Sequence, residues 1–300
     1  MRRVALIALA AALGLASFAS LQGQQADTPK AGKKGAGIRG DNPVDVLNMQ
    51  RPIEMHDSVW IQELTALEVR DLLKEGKKTT ALILGGGMEE NGPYLVLDKH
   101  NLASRAMGES IARKLGNALC APILTIEPGN LDRPTPGAVV MSAATYQNVV
   151  TDMALSLQAM GFRNVVMLGD HGGDMKPMEE AAKVLNEKWK SNGAKAIFIE
   201  KYGNNVPDEG CCGHPGEDVV GIHEKIEGLH DSYMMSAMIM TLDVNSVRLP
   251  ERIKAGKTTT NAVSLLPLEK TLADGRKLID FRAEATAREI RKRTEAAVAE

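Results

Sequence analysis

The chain has 300 residues, a formal net charge of −2 and 3 cysteines. So mild a charge balance leaves no electrostatic footprint for nucleic acid or an anionic membrane surface as partner. Three cysteines without a CxxC pair exclude a zinc-ribbon framework.

Met1-Arg2-Arg3, the apolar run Val4 to Ala16 and the small-x-small Ser17-Phe18-Ala19 predict a signal peptide over residues 1–19. The run is too short to span a bilayer, and no cysteine follows it to carry a lipid. The expected location is therefore periplasmic or secreted, free of the membrane after cleavage. Removing Arg2 and Arg3 takes the charge from −2 to −4. Residues 20–48, rich in Gln, Ala, Gly, Lys and Pro, cannot bury a core and predict a disordered linker. Residues 49–300 suffice for a single α/β domain.

Helical spacing covers residues 64–75, and a short apolar run at 80–84 stops on three glycines. Asn101 is placed to cap a helix that runs to Leu115 and closes at Gly116. A second strand is expected at 119–126. A helix capped by Ser142 runs to Met160 and ends at Gly161. Further apolar runs at 164–168 and 196–199 flank a helix over 177–190, and helices follow at 232–242 and 283–298. Strands alternating with helices across short connections imply a parallel sheet with helices on both faces. Ligands of such sheets bind beyond the carboxyl ends of the strands. "GGGMEENG" (85–92) and "GDHGGD" (169–174) both directly follow strands, so both loops should face one crevice.

Imidazole with carboxylate is a ligand set for Zn, Mn or Fe. Glu89, His100 and His171 can supply one such set from two loops. The neighbouring Gly86, Gly87, Gly172 and Gly173 would let backbone approach a metal or substrate closely. His100 alone also reads as a polar residue at a helix start. Asp170 reads as an imidazole-orienting group, a ligand or a turn residue. Asp174 reads first as the cap of the following helix, and Glu90 as a solvated neighbour. His230-Asp231 offers a general base or, more plainly, a helix cap with a histidine beside it. Neither GxxxxGK[ST] nor GxGxxG occurs in the glycine-rich loop, and no GxSxG elbow is present. Cys120 bridged to Cys211 or Cys212, and idle thiols, both stay open; the odd count leaves at least one thiol free.

These segments together resemble the creatininase (creatinine amidohydrolase) family. Its first motif, E-Q-H-G-P-H-L-P followed by threonine-aspartate, is similar to "EENGPYLV" followed by "KH" here. Its N-G-H-G-G-N is similar to "GDHGGD", its Pro-Gly segment to "TPGAVVMS", and its H-A-G segment to "LHDSYMM". The resemblance implies a three-layer α/β/α sandwich with a mostly parallel central sheet, often in a homo-oligomer. It implies a metal-dependent hydrolase of non-peptide C–N bonds, commonly in cyclic amides, with a small-molecule amide as substrate.

Glu89 and His171 match family metal ligands, and His230 matches a histidine of proton transfer. Asn91 stands where the family has a ligand histidine, His100 where it has a bridging aspartate, and Met235 where it has a glutamate. Imidazole offers one lone pair and cannot bridge two cations as a carboxylate does. The expectation is therefore one metal, Zn²⁺ with Fe²⁺ or Mn²⁺ as the other options, held by Glu89, His100 and His171. His230 would shuttle a proton, Asp231 or Asp170 would orient it, and Asn91 would donate to the developing oxyanion. The competing expectations are a non-catalytic metal or small-ligand binding protein on the same fold and a non-haem iron enzyme.

Overall fold

A computed structural model describes residues 45–132, 135–200 and 216–295. The expected signal peptide, most of the expected linker, Cys211, Cys212 and His214 lie outside the described residues. From Val46 onward the chain forms one compact unit. No described helix is long and apolar enough to cross a membrane.

Four parallel strands form the central sheet: β1 (Thr80–Gly85), β2 (Ala118–Cys120), β3 (Asn164–Gly169) and β4 (Lys195–Ile199). Their spatial order is β2-β1-β3-β4. The helices are α1 (Ala66–Lys74), α2 (Lys99–Leu115), α3 (Ala143–Met160), α4 (Met175–Trp189), α5 (Glu217–Val220), α6 (Tyr233–Met240), α7 (Leu249–Lys254) and α8 (Leu268–Glu295). A two-stranded antiparallel ribbon joins β5 (Thr259–Thr260) to β6 (Val263–Ser264).

Side chains of a strand alternate between faces, and here the alternation divides the core in two. Leu82, Leu84, Val166 and Leu168 pack with Met107 and Ile111 of α2, Ala237 of α6 and Leu278 of α8. Ala81, Ile83, Val165 and Met167 pack with Leu72 of α1, Val150 of α3 and Leu185 of α4. The result is helix, sheet, helix in three layers. Both faces of β1 are buried, so it reads as an unbroken apolar run.

Local signals explain most boundaries. Thr65 and Glu68 close a reciprocal capping box on α1, Ser142 accepts from Thr145 N at the start of α3, and Gly161 ends α3 in the left-handed region. Three expectations need correction. The second strand stops at Cys120, after which the chain leaves the sheet except for a single bridge from Leu124 to Gly85. Helix α2 starts two residues early, at Lys99, so Asn101 lies inside its first turn and does not cap it. The C-terminal helix begins at Leu268, far upstream of residue 283, and runs through Gly275. There a Cβ would collide with the Ala237 carbonyl of α6, so the glycine marks a close helix crossing rather than a break. Cys120 is a free, buried thiol that donates to the Gly108 carbonyl at 3.2 Å.

Candidate active site

From β1 the chain crosses to β2 on one side, and β3 lies on the other. The strand order therefore reverses between β1 and β3, where open α/β sheets form their ligand crevice. Gly85 and Gly169 are register partners at that edge. The loops after β1 and β3 meet there. The first turn of α2 touches Glu89 through Lys99 and His100, and residues 230–231, just before α6, touch Glu90 and Gly92.

The glycine run after β1 makes room for polar side chains that fix the loop. A Cβ at Gly85 would meet the Asp174 carboxylate and the Tyr146 hydroxyl, and one at Gly86 the Asn101 amide. One at Gly87 would meet the Glu127 carboxylate, and Gly87 also sits at φ +149°, which side chains disfavour. Asn101 Oδ1 accepts from Gly87 N at 2.9 Å. The expected close approach of backbone to ligand is thus, at Gly86 and Gly87, an approach to the protein's own Asn101 and Glu127.

Glu89 is the centre of the cluster. Its Oε1 lies 2.5 Å from His100 Nε2, 2.9 Å from Lys99 Nζ and 3.5 Å from His230 Nε2, and its Oε2 lies 3.3 Å from His171 Nε2. His100 is buried and spans two carboxylates, its Nδ1 lying 2.5 Å from Asp170 Oδ2. His171 Nδ1 accepts from Gly173 N at 3.1 Å. His230 Nδ1 donates to the Glu90 carbonyl at 2.8 Å, which leaves Nε2 as the basic nitrogen facing Glu89. His230 holds φ +55°, an uncommon conformation for a side-chain-bearing residue and one found at functional sites. The His100 and His171 rings are 5.4 Å apart, edge to face.

Electrostatics follow from these contacts. Burial disfavours the Glu89 carboxylate, but hydrogen bonds from His100, His171 and Lys99 hold it far below the usual carboxylate range. Burial also disfavours charge on His100, yet its bonds to Asp170 and Glu89 raise it to about 9. The bond to Glu89 raises His171 as well. Two buried carboxyls border the cluster. Asp174 is pushed up to about 7 by burial, and Glu127 is raised for the same reason.

The expected residues Glu89, His100, His171 and His230 converge. Asp170 orients an imidazole, that of His100; His230 is oriented by the Glu90 carbonyl. Asp231 turns away to Arg252 at 3.5 Å, both side chains being 3% exposed. Asn91 cannot serve the oxyanion as arranged. Its amide nitrogen is already committed to the carbonyls of Glu89 at 3.0 Å and Val96 at 2.9 Å, which use both hydrogens. Asp174 makes no side-chain cap on α4; its carboxylate turns back to His171 N at 3.3 Å. Lys99 and Glu127 were not singled out from sequence. Lys99 reads there as an ordinary basic residue at a helix start, and nothing in "TIEPGN" announces that Glu127 is buried.

The donors suit a divalent cation chemically. One carboxylate and two imidazoles converge, and Asp170 backs His100 as carboxylates back metal-bound histidines. As placed, the cluster is proton-bound. The 2.5 Å Glu89–His100 contact is a hydrogen bond, and among the described residues no group of three or more His, Cys, Asp or Glu stands in metal-holding geometry. A cation would enter by displacing protons from the imidazoles.

Comparison with known structures agrees with the layered fold. A crystal structure of creatinine amidohydrolase (creatininase) is 18% identical, with a TM-score of 0.57 over 79% of this chain and 98% of that one. A manganese creatininase is 18% identical, with a TM-score of 0.56 over the same shares. A Bacteroides fragilis protein described provisionally as a creatinine amidohydrolase is 16% identical, with a TM-score of 0.54 over 78% and 95%. A search of curated protein sequences gave no match. The model of the family described as creatinine amidohydrolase matches residues 62–299, and the chain therefore belongs to the creatininase family.

Proposed function

We propose that this chain hydrolyses a non-peptide, in particular cyclic, amide C–N bond of a small molecule, with one divalent cation at Glu89, His100 and His171. The observation that carries the reading is the convergence of three imidazoles on one half-buried carboxylate at the sheet's switch point. Family membership supports the hydrolytic class, and related structures include manganese and zinc–zinc forms and a creatine complex. When bound, the cation would lower the pKa of a water and polarise the substrate carbonyl.

The chain's own groups have separable tasks. Glu89 also accepts from the Lys99 ammonium and holds it in the site. Asp170 holds the His100 ring. His230, at the exposed rim, has the geometry to take a proton from the attacking water and return it to the leaving nitrogen. Export and homo-oligomeric assembly belong to the same proposal, resting on the leader pattern and on the family.

The test is a hydrolysis screen of creatinine, hydantoins and simple lactams with the full mature chain, repeated with His230→Ala. Turnover that falls about a hundredfold or more in the variant supports the reading. No turnover of any cyclic or linear amide sinks it.

A further inference from the structure

We propose that Lys99 is a catalytic residue, donating a hydrogen bond to the amide carbonyl oxygen of the substrate as negative charge develops there. The inference rests on the hydrolytic reading above and names the electrophile within it. Lys99 opens α2, is 5% exposed, and places Nζ 2.9 Å from Glu89 Oε1 and 3.3 Å from the His230 carbonyl.

An ammonium carries three hydrogens, and buried donors are almost always satisfied. The two described contacts use two of them. The other donors around Glu89 are spent. Asn91 gives both amide hydrogens to backbone, and His100 faces a carboxylate with each nitrogen. The Gly173 and Gly87 amides bond His171 and Asn101. The third hydrogen of Lys99 is the one left for a substrate oxygen. A substrate that reaches Glu89 lies beside Nζ, because the two groups touch.

The step balances as follows. Water forms the new C–O bond and loses a proton to His230, while the carbonyl π pair moves onto oxygen under the Lys99 hydrogen bond. The C–N bond then breaks, its electron pair taking that proton, and the carbonyl re-forms in the acid product. Lys99 keeps its proton throughout. The acid product loses its proton to solvent, and the resulting carboxylate keeps one oxygen against Nζ, so acetate is a direct probe.

Calorimetric titration with acetate should show binding to the wild-type chain. Binding should weaken about tenfold or more in Lys99→Met, as expected for loss of a charge-assisted hydrogen bond. It should stay unchanged in Lys190→Met, a surface control. If Lys99→Met does not fold by circular dichroism, the 15N resonance of the Lys99 ammonium in the wild-type chain replaces it; it should shift on adding acetate. No acetate binding, equal binding to Lys99→Met, or an unmoved resonance overturns the proposal. Lys99-dependent acetate binding without hydrolysis of any amide would instead sink the hydrolytic reading and leave Lys99 a carboxylate-binding group only.

Discussion

Arg252→Met should destabilise the protein by about 3–5 kcal/mol at pH 7, the usual cost of stripping the partner from a buried charge. Asp231 and Arg252 are each 3% exposed, and the Asp231 carboxylate lies next to Gly92 in the Glu89 loop. Arg252 also donates to the carbonyls of Val247 at 2.9 Å and Thr259 at 3.1 Å and stacks over Tyr94 at 4.9 Å. Methionine keeps much of the length and loses every donor. For a domain of this size, roughly 2–4 °C of melting temperature follows each kcal/mol, so the midpoint should fall by roughly 6–20 °C. Burial already raises the Asp231 carboxyl, so acid offers an escape: the deficit should shrink as pH falls and Asp231 protonates. Adding Asp231→Asn should recover part of the loss. Urea unfolding followed by circular dichroism reads all three values. A loss under about 1 kcal/mol in Arg252→Met, or no recovery in the double variant, would refute the claim that this pair pins the His230 segment to the Glu89 loop.

Protons and cation compete for the same two imidazoles, so divalent-metal affinity should rise about tenfold per pH unit for each imidazole still protonated, levelling once His100 titrates at about 9; a chelator competition series checks this, and a flat profile contradicts it. Asp174 holds its proton to about 7 in the fold against 3.8 for a free aspartate carboxyl. Its raised value contributes stability that is complete below pH 3.8 and lost as pH rises through about 7, with a ceiling of about 4 kcal/mol. Asp174→Asn should flatten that part of the stability–pH curve in urea titrations. Gly275→Ala must push α8 off the Ala237 carbonyl and should cost about 1–3 kcal/mol by thermal unfolding.

Strands β1, β3 and β4 were legible because burial on both faces writes a plain apolar run, and the strand ends located Glu89, Asp170 and His171. Residue chemistry alone grouped Glu89, His100 and His171 and offered His230 as a base; the resemblance added the proton-transfer role of His230. What stayed hidden depends on tertiary contact. Asn91 reads as a free amide until Glu89 and Val96 are seen to occupy it. Lys99 reads as a solvated cation until α2 is seen to carry it beneath His230. The helix start at Leu268 stays hidden because Gly275 fits a helix only through its close crossing with the Ala237 carbonyl of another helix. The strand expected over 119–126 overruns because apolar residues continue past Cys120, whereas Pro122 has no N–H for the ladder and only Ala121 of the stretch is buried.

The central claim is that Glu89 anchors a single-cation site. Elemental analysis after equilibrium dialysis against zinc or manganese tests it most directly, on the wild-type chain and on Glu89→Gln. The account predicts one divalent cation per chain in the wild type and none in the variant. A wild-type chain without stoichiometric metal, one with two cations, or a Glu89→Gln chain that keeps its metal would contradict it.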